Sequence, residues 1–192
     1  MQDFKFGLKW PILLLAILGI GFLFVTGSYN GLNRQKQEVD LAQSTIETAL
    51  QRRYDLIPNV VNAAKGYLLH EQKVLGQIAD ARAKIGNAPA KDSEAQGELS
   101  NAVSRLLVLR EQYPELKANE TVNRLMVELE GTENRLFVAR KDYNTVATKY
   151  NTRLKSIPTI FYAGMLGFEP APLTQAVPAA QTAPTVDLNT DH

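Results

Sequence analysis

Two histidines, His70 and His192, and no cysteine limit the reactive chemistry open to this 192-residue chain. The stretch "HEQKV" at His70 falls short of a zinc-protease helix, because H-E-x-x-H needs a second histidine four residues on and Val74 stands there. Without cysteine, disulfides, thiolate nucleophiles and cysteine metal sites are excluded. Carboxylate and guanidinium remain: Arg52, Arg53, Asp55, Glu71 and Asp80 gather in sequence on either side of Pro58. Burial can tune such carboxylates for acid–base work, but no nucleophile or oxyanion pocket accompanies them. We read the group as a salt-bridge network that sets helix register, with Arg53, Asp55, Pro58 and Glu71 as structural members. No catalytic residue, cofactor or metal is expected, and the chain reads as non-enzymatic. A hydrolase using the region from Arg52 to Glu71 is the rival from another class.

The second polar concentration is "GTENRLFVARKDYNTVATKYN", Gly131 to Asn151, where a Tyr-Asn pair recurs after seven residues. Seven is the heptad repeat, so the pattern belongs to a helix seam. With Leu136, Tyr143 and Tyr150 on the first seam position, one flank carries Glu128, Arg135, Asp142 and Lys149, alternating in sign, and the other carries Glu133 and Arg140. Flanking charges of this kind choose helix partners and orientation. Tyr143 and Tyr150 become seam aromatics whose hydroxyls need partners when buried. The back of the same helix mixes Gly131, Asn134, Phe137, Val138, Asn144 and Asn151, which is unusual for a solvated face. Gly131 alone costs roughly 1 kcal/mol against alanine in a helix interior. A second contact surface is expected there, covered by another helix of the chain or by another molecule. The interaction residues expected over the charged flanks and this back face together are Glu133, Arg135, Phe137, Arg140, Asn144 and Asn151.

These residues must be placed by long helices. Apolar positions step by threes and fours in four stretches: about 32–53, 59–85, 94–113 and 119–157. Pro58 predicts a break between the first two. The second is expected to bury Val60, Ala64, Tyr67, Val74, Ile78, Ala81 and Ile85, with Glu71 in the same register. Ser93 with Gln96 fits a capping box that opens the third, which is apolar at Leu99, Val103, Leu106 and Leu109 and ends at Pro114. The fourth has the inward register Val122, Leu125, Leu129, Thr132, Leu136, Ala139, Tyr143, Val146, Tyr150, Arg153 and Ile157. At about 1.5 Å per residue it would span roughly 55 Å. The predicted fold is all-α: an elongated antiparallel bundle of three to four long helices behind an N-terminal transmembrane helix.

That first helix lies in an uncharged run from Trp10 to Asn33, with "PILLLAILGIGFLFVTG" at its centre. About 20 apolar residues cross a bilayer, and Trp10 and Tyr29 sit where amphipathic aromatics favour the interface. We read residues 10–28 as an uncleaved signal-anchor in the lipid bilayer, after a short flank at 1–9; a cleaved signal peptide is the rival reading. "GSYNG" at the edge of the span reads as a flexible exit, with a GxxxG packing face as the alternative. Residues 29–168 form the helical domain, and 169–192, rich in Pro, Ala and Thr, read as disordered. The apolar stub at 159–168 either packs on the bundle or docks to membrane or partner. A formal net charge of +1, from 21 Lys+Arg against 20 Asp+Glu, gives no case for nucleic acid.

Several segments together resemble the LemA family of bacterial membrane proteins: "YNGL", "LQRRYDLIPNVVNAAKGYLLHE", "ADARAKI", "ELEGTENRLFVARKDYNTVATKYNTRLKSIP" and "AGMLGFEP". They run in order over most of Tyr29 to Pro170, and residues 87–121 match less sharply. The resemblance implies an N-terminal anchor, a bundle of long antiparallel helices, and no established enzyme activity or cofactor. The chain is similar to a magnetosome-biogenesis protein, and family members are often encoded near membrane-linked metalloproteases of the heat-shock type. Relatives that look like lipoproteins carry a cysteine shortly before the Tyr-Asn pair; here the place reads "TGSYN", so no lipid can be attached.

The expectation is a single-pass protein of the bacterial inner membrane, N-terminus inside and main domain extracytoplasmic. It would act as a scaffold or adaptor for other envelope proteins, with a homo-oligomer or a membrane metalloprotease among its partners. A self-assembling collar in the membrane and an accessory factor of a membrane-linked protease are the alternatives.

Overall fold

The computed structural model describes residues 9–86 and 93–174. Among the described residues the chain is all-helical, without strands. Its elements are α1 (Lys9–Ala64), α2 (Gln72–Ile85), α3 (Ser93–Gln112), α4 (Pro114–Ala118) and α5 (Glu120–Lys155), then a 3-10 turn at Thr159–Phe161. Residues 1–8 of the expected flank at 1–9, part of the connector at 87–92 and the tail from 175 lie outside the described residues, as does the capping side chain of Ser93.

The first correction concerns Pro58. No break occurs there: α1 is one helix of 56 residues with Pro58 inside it. An interior proline loses one backbone bond and crowds the preceding turn, at a cost of about 3 kcal/mol. Ile57 and Val60 on either side are buried, and burying two such side chains contributes roughly 2 kcal/mol each. Packing thus outweighs the local preference. "GSYNG" is helical as well, so it is no flexible exit. A Cβ added at Gly27 or Gly31 would meet nothing within 4 Å, so no close packing within the chain requires these glycines.

The actual break lies in residues 65–71, where a continuous helix was expected. Tyr67 N–H and Leu68 N–H both return to the Ala64 carbonyl, at 2.9 and 3.1 Å. Leu68 is fully buried, and Tyr67, expected inside, is 40 % exposed. Two side-chain bonds hold the turn: Asn119 Nδ2 donates to Tyr67 Oη at 2.9 Å and Tyr113 Oη donates to Glu71 at 3.0 Å. Asn119 also accepts from Val122 N–H at 3.0 Å, which caps α5 by satisfying one of its free first-turn donors.

The described residues group into two compact units, and α1 and α5 contribute to both. One comprises residues 43–142. Its core includes Ile57, Val60 and Leu68, then Ile78, Ala81 and Ile85 of α2, Leu99, Val103, Leu106 and Leu109 of α3, Leu116 of α4 and Val122, Met126 and Leu129 of α5. The other comprises residues 9–42 with 143–173, where Leu32, Val39, Tyr143, Ala147, Tyr150 and Leu154 are buried.

The inward stripe of α5 differs from the expected one by a drift. The buried positions are Val122, Met126, Leu129, Thr132, Leu136, Ala139, Tyr143, Ala147, Tyr150 and Leu154. Met126, Ala147 and Leu154 replace Leu125, Val146 and Arg153, and Ile157 is exposed. A strict alternation of threes and fours steps 3.5 residues per turn, whereas the helix turns in 3.6 and drifts by about 20° per heptad. Toward its C-terminal end the stripe therefore moves one residue later, at Ala147 and Leu154, to keep facing the core.

Candidate functional site

Leu32, Val39, Ile46, Arg53 and Val60 stand seven apart on α1, and all five are buried. Arg53 therefore occupies a core row with no exposed surface. Its Nη1 donates to Ser100 Oγ of α3 at 2.7 Å and to the Glu133 carboxylate of α5 at 3.1 and 3.3 Å. Its Nη2 donates to Gln96 Oε1. One guanidinium thus joins three helices. Breaking one partner of a buried pair costs about 3–5 kcal/mol, because the other charge is left uncompensated. Arg140, half-buried nearby, has its pKa lowered by desolvation first and then by the like charge of Arg53, against the pull of Glu133.

The expected network of Arg53 with Asp55 and Glu71 does not form. Asp55 is exposed and accepts from Gln51 at 2.9 Å, one turn away on the same helix. Glu71 accepts from Tyr113, and this hydrogen bond is the main cause raising the tyrosine's pKa. Arg52 pairs with Glu128 at 2.7 Å. Asp80 lines a shallow groove of about 290 Å³ between α2 and α3. Across that groove Lys84 meets Glu98 at 2.6 Å and Arg105 donates to Gln77 at 3.0 Å. Adjacent sequence numbers on a helix point in different directions, so the five charges disperse. Ser100 was not foreseen, and Gln96 was expected in a capping box with Ser93 rather than as an acceptor for Arg53, although the seven-residue row leading to Arg53 was readable.

The Tyr-Asn repeat divides in a way its symmetry hides. Tyr143 and Tyr150 are both buried, as seam residues should be. Tyr143 Oη donates to the Pro172 carbonyl at 2.7 Å, whereas Tyr150 Oη is buried with no hydrogen-bond partner. Asn151 uses both ends of its amide on Ala171: Nδ2 donates to the carbonyl at 2.7 Å and Oδ1 accepts the N–H at 2.8 Å. What meets Asn151 is thus a later part of the same chain. Ala171 and Pro172, expected within a disordered tail, are held here by Asn151 and Tyr143. Asn144 is half-buried.

The outer face of α5 is different. Phe137 is 70 % and Val138 51 % exposed, and Val127, about three turns earlier on the same side, is 48 % exposed. Val127, Gly131, Asn134 and Val138 step by four, three and four, so they share one stripe. Arg135 is exposed and lies 3.4 Å from Thr132 Oγ1. A Cβ added at Gly131 would meet the Arg135 guanidinium at 3.7 Å, an ordinary contact. Glu128 and Glu133, expected to address a partner, are engaged with Arg52 and Arg53 inside the chain. What α5 presents outward is apolar surface bordered by Arg135, Lys141 and Asp142.

The most apolar 18-residue window of α1 has a mean hydropathy of 2.2, with none of it buried, which is long and apolar enough to cross a membrane. Comparison with known proteins agrees with this arrangement. The chain is 29 % identical to the Protein LemA of Metamycoplasma hominis, covering 76 % of this chain and 69 % of that one. It is 26 % identical to Magnetosome protein MamQ 2 of Paramagnetospirillum magneticum, covering 80 % and 67 % respectively. It is 24 % identical to Magnetosome protein MamQ of Magnetospirillum gryphiswaldense over the same shares. These relatives and the apolar segment of α1 point to a membrane-associated helical protein. The profile of the LemA family matches residues 42–188, and the chain belongs to that family.

Proposed function

We propose that the protein is a non-enzymatic scaffold or adaptor, anchored in the bacterial inner membrane through residues 10–28, whose helical part binds other envelope proteins. The N-terminus lies inside and the bulk of the chain outside the cytoplasm. The observation that carries this reading is the exposed apolar surface at Phe137 and Val138. It lies on a helix whose opposite face is consumed by the core. Exposed apolar surface bordered by charge is the usual mark of a protein contact. The earlier expectation of charge-coded recognition narrows accordingly: Glu133 serves Arg53, and recognition rests on Phe137 and Val138 with Arg135 beside them. Asn151 is engaged by Ala171 and is left out of this surface.

The reading is tested by Phe137→Asp. Phe137 is too exposed for its loss to disturb the core, so helicity by circular dichroism should match the unaltered protein. Complexes extracted from membranes in mild detergent should shrink on a native gel. Complexes of unchanged size would remove Phe137 from the contact.

A further inference from the structure

We propose that the turn at residues 157–168 is a second membrane-contacting element, placing Phe161 and Met165 in the interfacial layer of the bilayer that α1 crosses. The inference rests on reading residues 10–28 as a span and goes beyond the adaptor role. The turn is built with one side locked and the other bare. Thr159 and Ala163 are buried, while Ile157 is 79 %, Phe161 72 % and Met165 87 % exposed. The exposed side cannot fold away. Phe168 N–H bonds the Ala163 carbonyl at 3.0 Å and Gly167 N–H the Gly164 carbonyl at 3.1 Å. These are the paired bonds of a Schellman ending. Gly167 has the φ of +79° that this ending needs and that other residues rarely adopt.

Two contacts fix the level of the turn. Tyr162 Oη and Ser28 Oγ are hydrogen-bonded at 2.5 Å, and the rings of Tyr29 and Phe168 lie 5.4 Å apart. Ser28 and Tyr29 stand where the apolar run of α1 ends. Phe22, Leu23 and Phe24, just before them, are exposed, so apolar surface continues from the span onto the turn. Exposed Arg153 and Lys155 in the last turn of α5 supply cations suited to lipid phosphate beside it. Apolar tips with basic neighbours and ring pairs at the water boundary are what an interfacial segment requires.

The absence of native cysteine makes the test direct. The full chain carrying one substitution at a time (Leu18→Cys, Phe161→Cys, Met165→Cys or Thr148→Cys) is labelled with an environment-sensitive fluorophore. Each is reconstituted in phosphatidylethanolamine–phosphatidylglycerol vesicles. All four positions are exposed, and circular dichroism verifies that each variant folds. Labels at 161 and 165 should be quenched by lipids bearing a nitroxide near the headgroup. They should also be several-fold less accessible to aqueous iodide than the label at 148. The label at 18 should be quenched by deep nitroxides. Iodide access at 161 and 165 equal to that at 148 overturns the inference while leaving the span intact. Shielding from iodide without lipid quenching assigns the turn to a second copy or another protein and also overturns it. A label at 18 that meets no lipid quencher overturns the span reading and this inference with it.

Discussion

Tyr143 and Tyr150 bury the same hydroxyl in opposite circumstances, and two single substitutions separate them. Tyr143→Phe removes the bond to the Pro172 carbonyl and should cost about 1 kcal/mol. Tyr150→Phe removes a buried hydroxyl without a partner, so it should be neutral or stabilising by up to about 1 kcal/mol. Thermal or denaturant unfolding measures both, and equal losses would contradict the assignment. Burial raises the pKa of both phenols. The fold therefore favours the neutral form, and this part of its stability is complete below about pH 10 and is lost at higher pH. Arg53 carries the other prediction at this scale. Glu133→Ala leaves the fully buried guanidinium with only neutral acceptors and should destabilise by about 3 kcal/mol. Combining it with Arg53→Met should recover much of that loss, because the uncompensated charge is then gone. Strictly additive losses in the double variant would show that the two residues do not act as a pair.

At the scale of the element, α5 is the helix whose sequence spoke most clearly, and its errors are instructive. Its bounds and the burial of Leu129, Leu136, Tyr143 and Tyr150 were legible, because these positions stand seven apart. Leu154 was missed in favour of Arg153 because the stripe was extended at 3.5 residues per turn. Pro58 misled in the other direction: a strong local breaker was overruled by burial of its neighbours, which no local rule contains. The turn at 65–71 was missed because apolar positions run on at helical spacing across it, Val60, Ala64 and Leu68 all being buried in one core. Gly131 gives α5 its own prediction. Its surroundings admit a methyl group, so Gly131→Ala should raise stability by about 1 kcal/mol through helix propensity. A loss of stability would mean that the outer face of α5 is closer to another part of the chain than the structure places it.

For the whole molecule, the all-helical fold class and the long apolar N-terminal helix were legible from period and composition alone, since helices need spacing by threes and fours and a candidate span needs an unbroken apolar run. The site was legible only in part. The sequence pointed to Arg53, Glu133, Phe137 and the Tyr-Asn repeat, but which charges face inward depends on pairings across three helices. Glu133 therefore passed from the outer surface to the Arg53 pair, and Asn151 to the backbone of Ala171. What is left facing outward is Phe137 with Val138, and the adaptor reading stands on them. Its most direct test places a photo-crosslinking amino acid at position 137 in the full chain, irradiates native membranes and identifies adducts by mass spectrometry, with Thr148 substituted in the same way as the control. The account predicts a discrete protein adduct at 137 that is absent at 148; an adduct with a second copy of this chain would identify the partner as itself. Irradiation that yields no protein adduct at 137, or the same adducts at both positions, would contradict it.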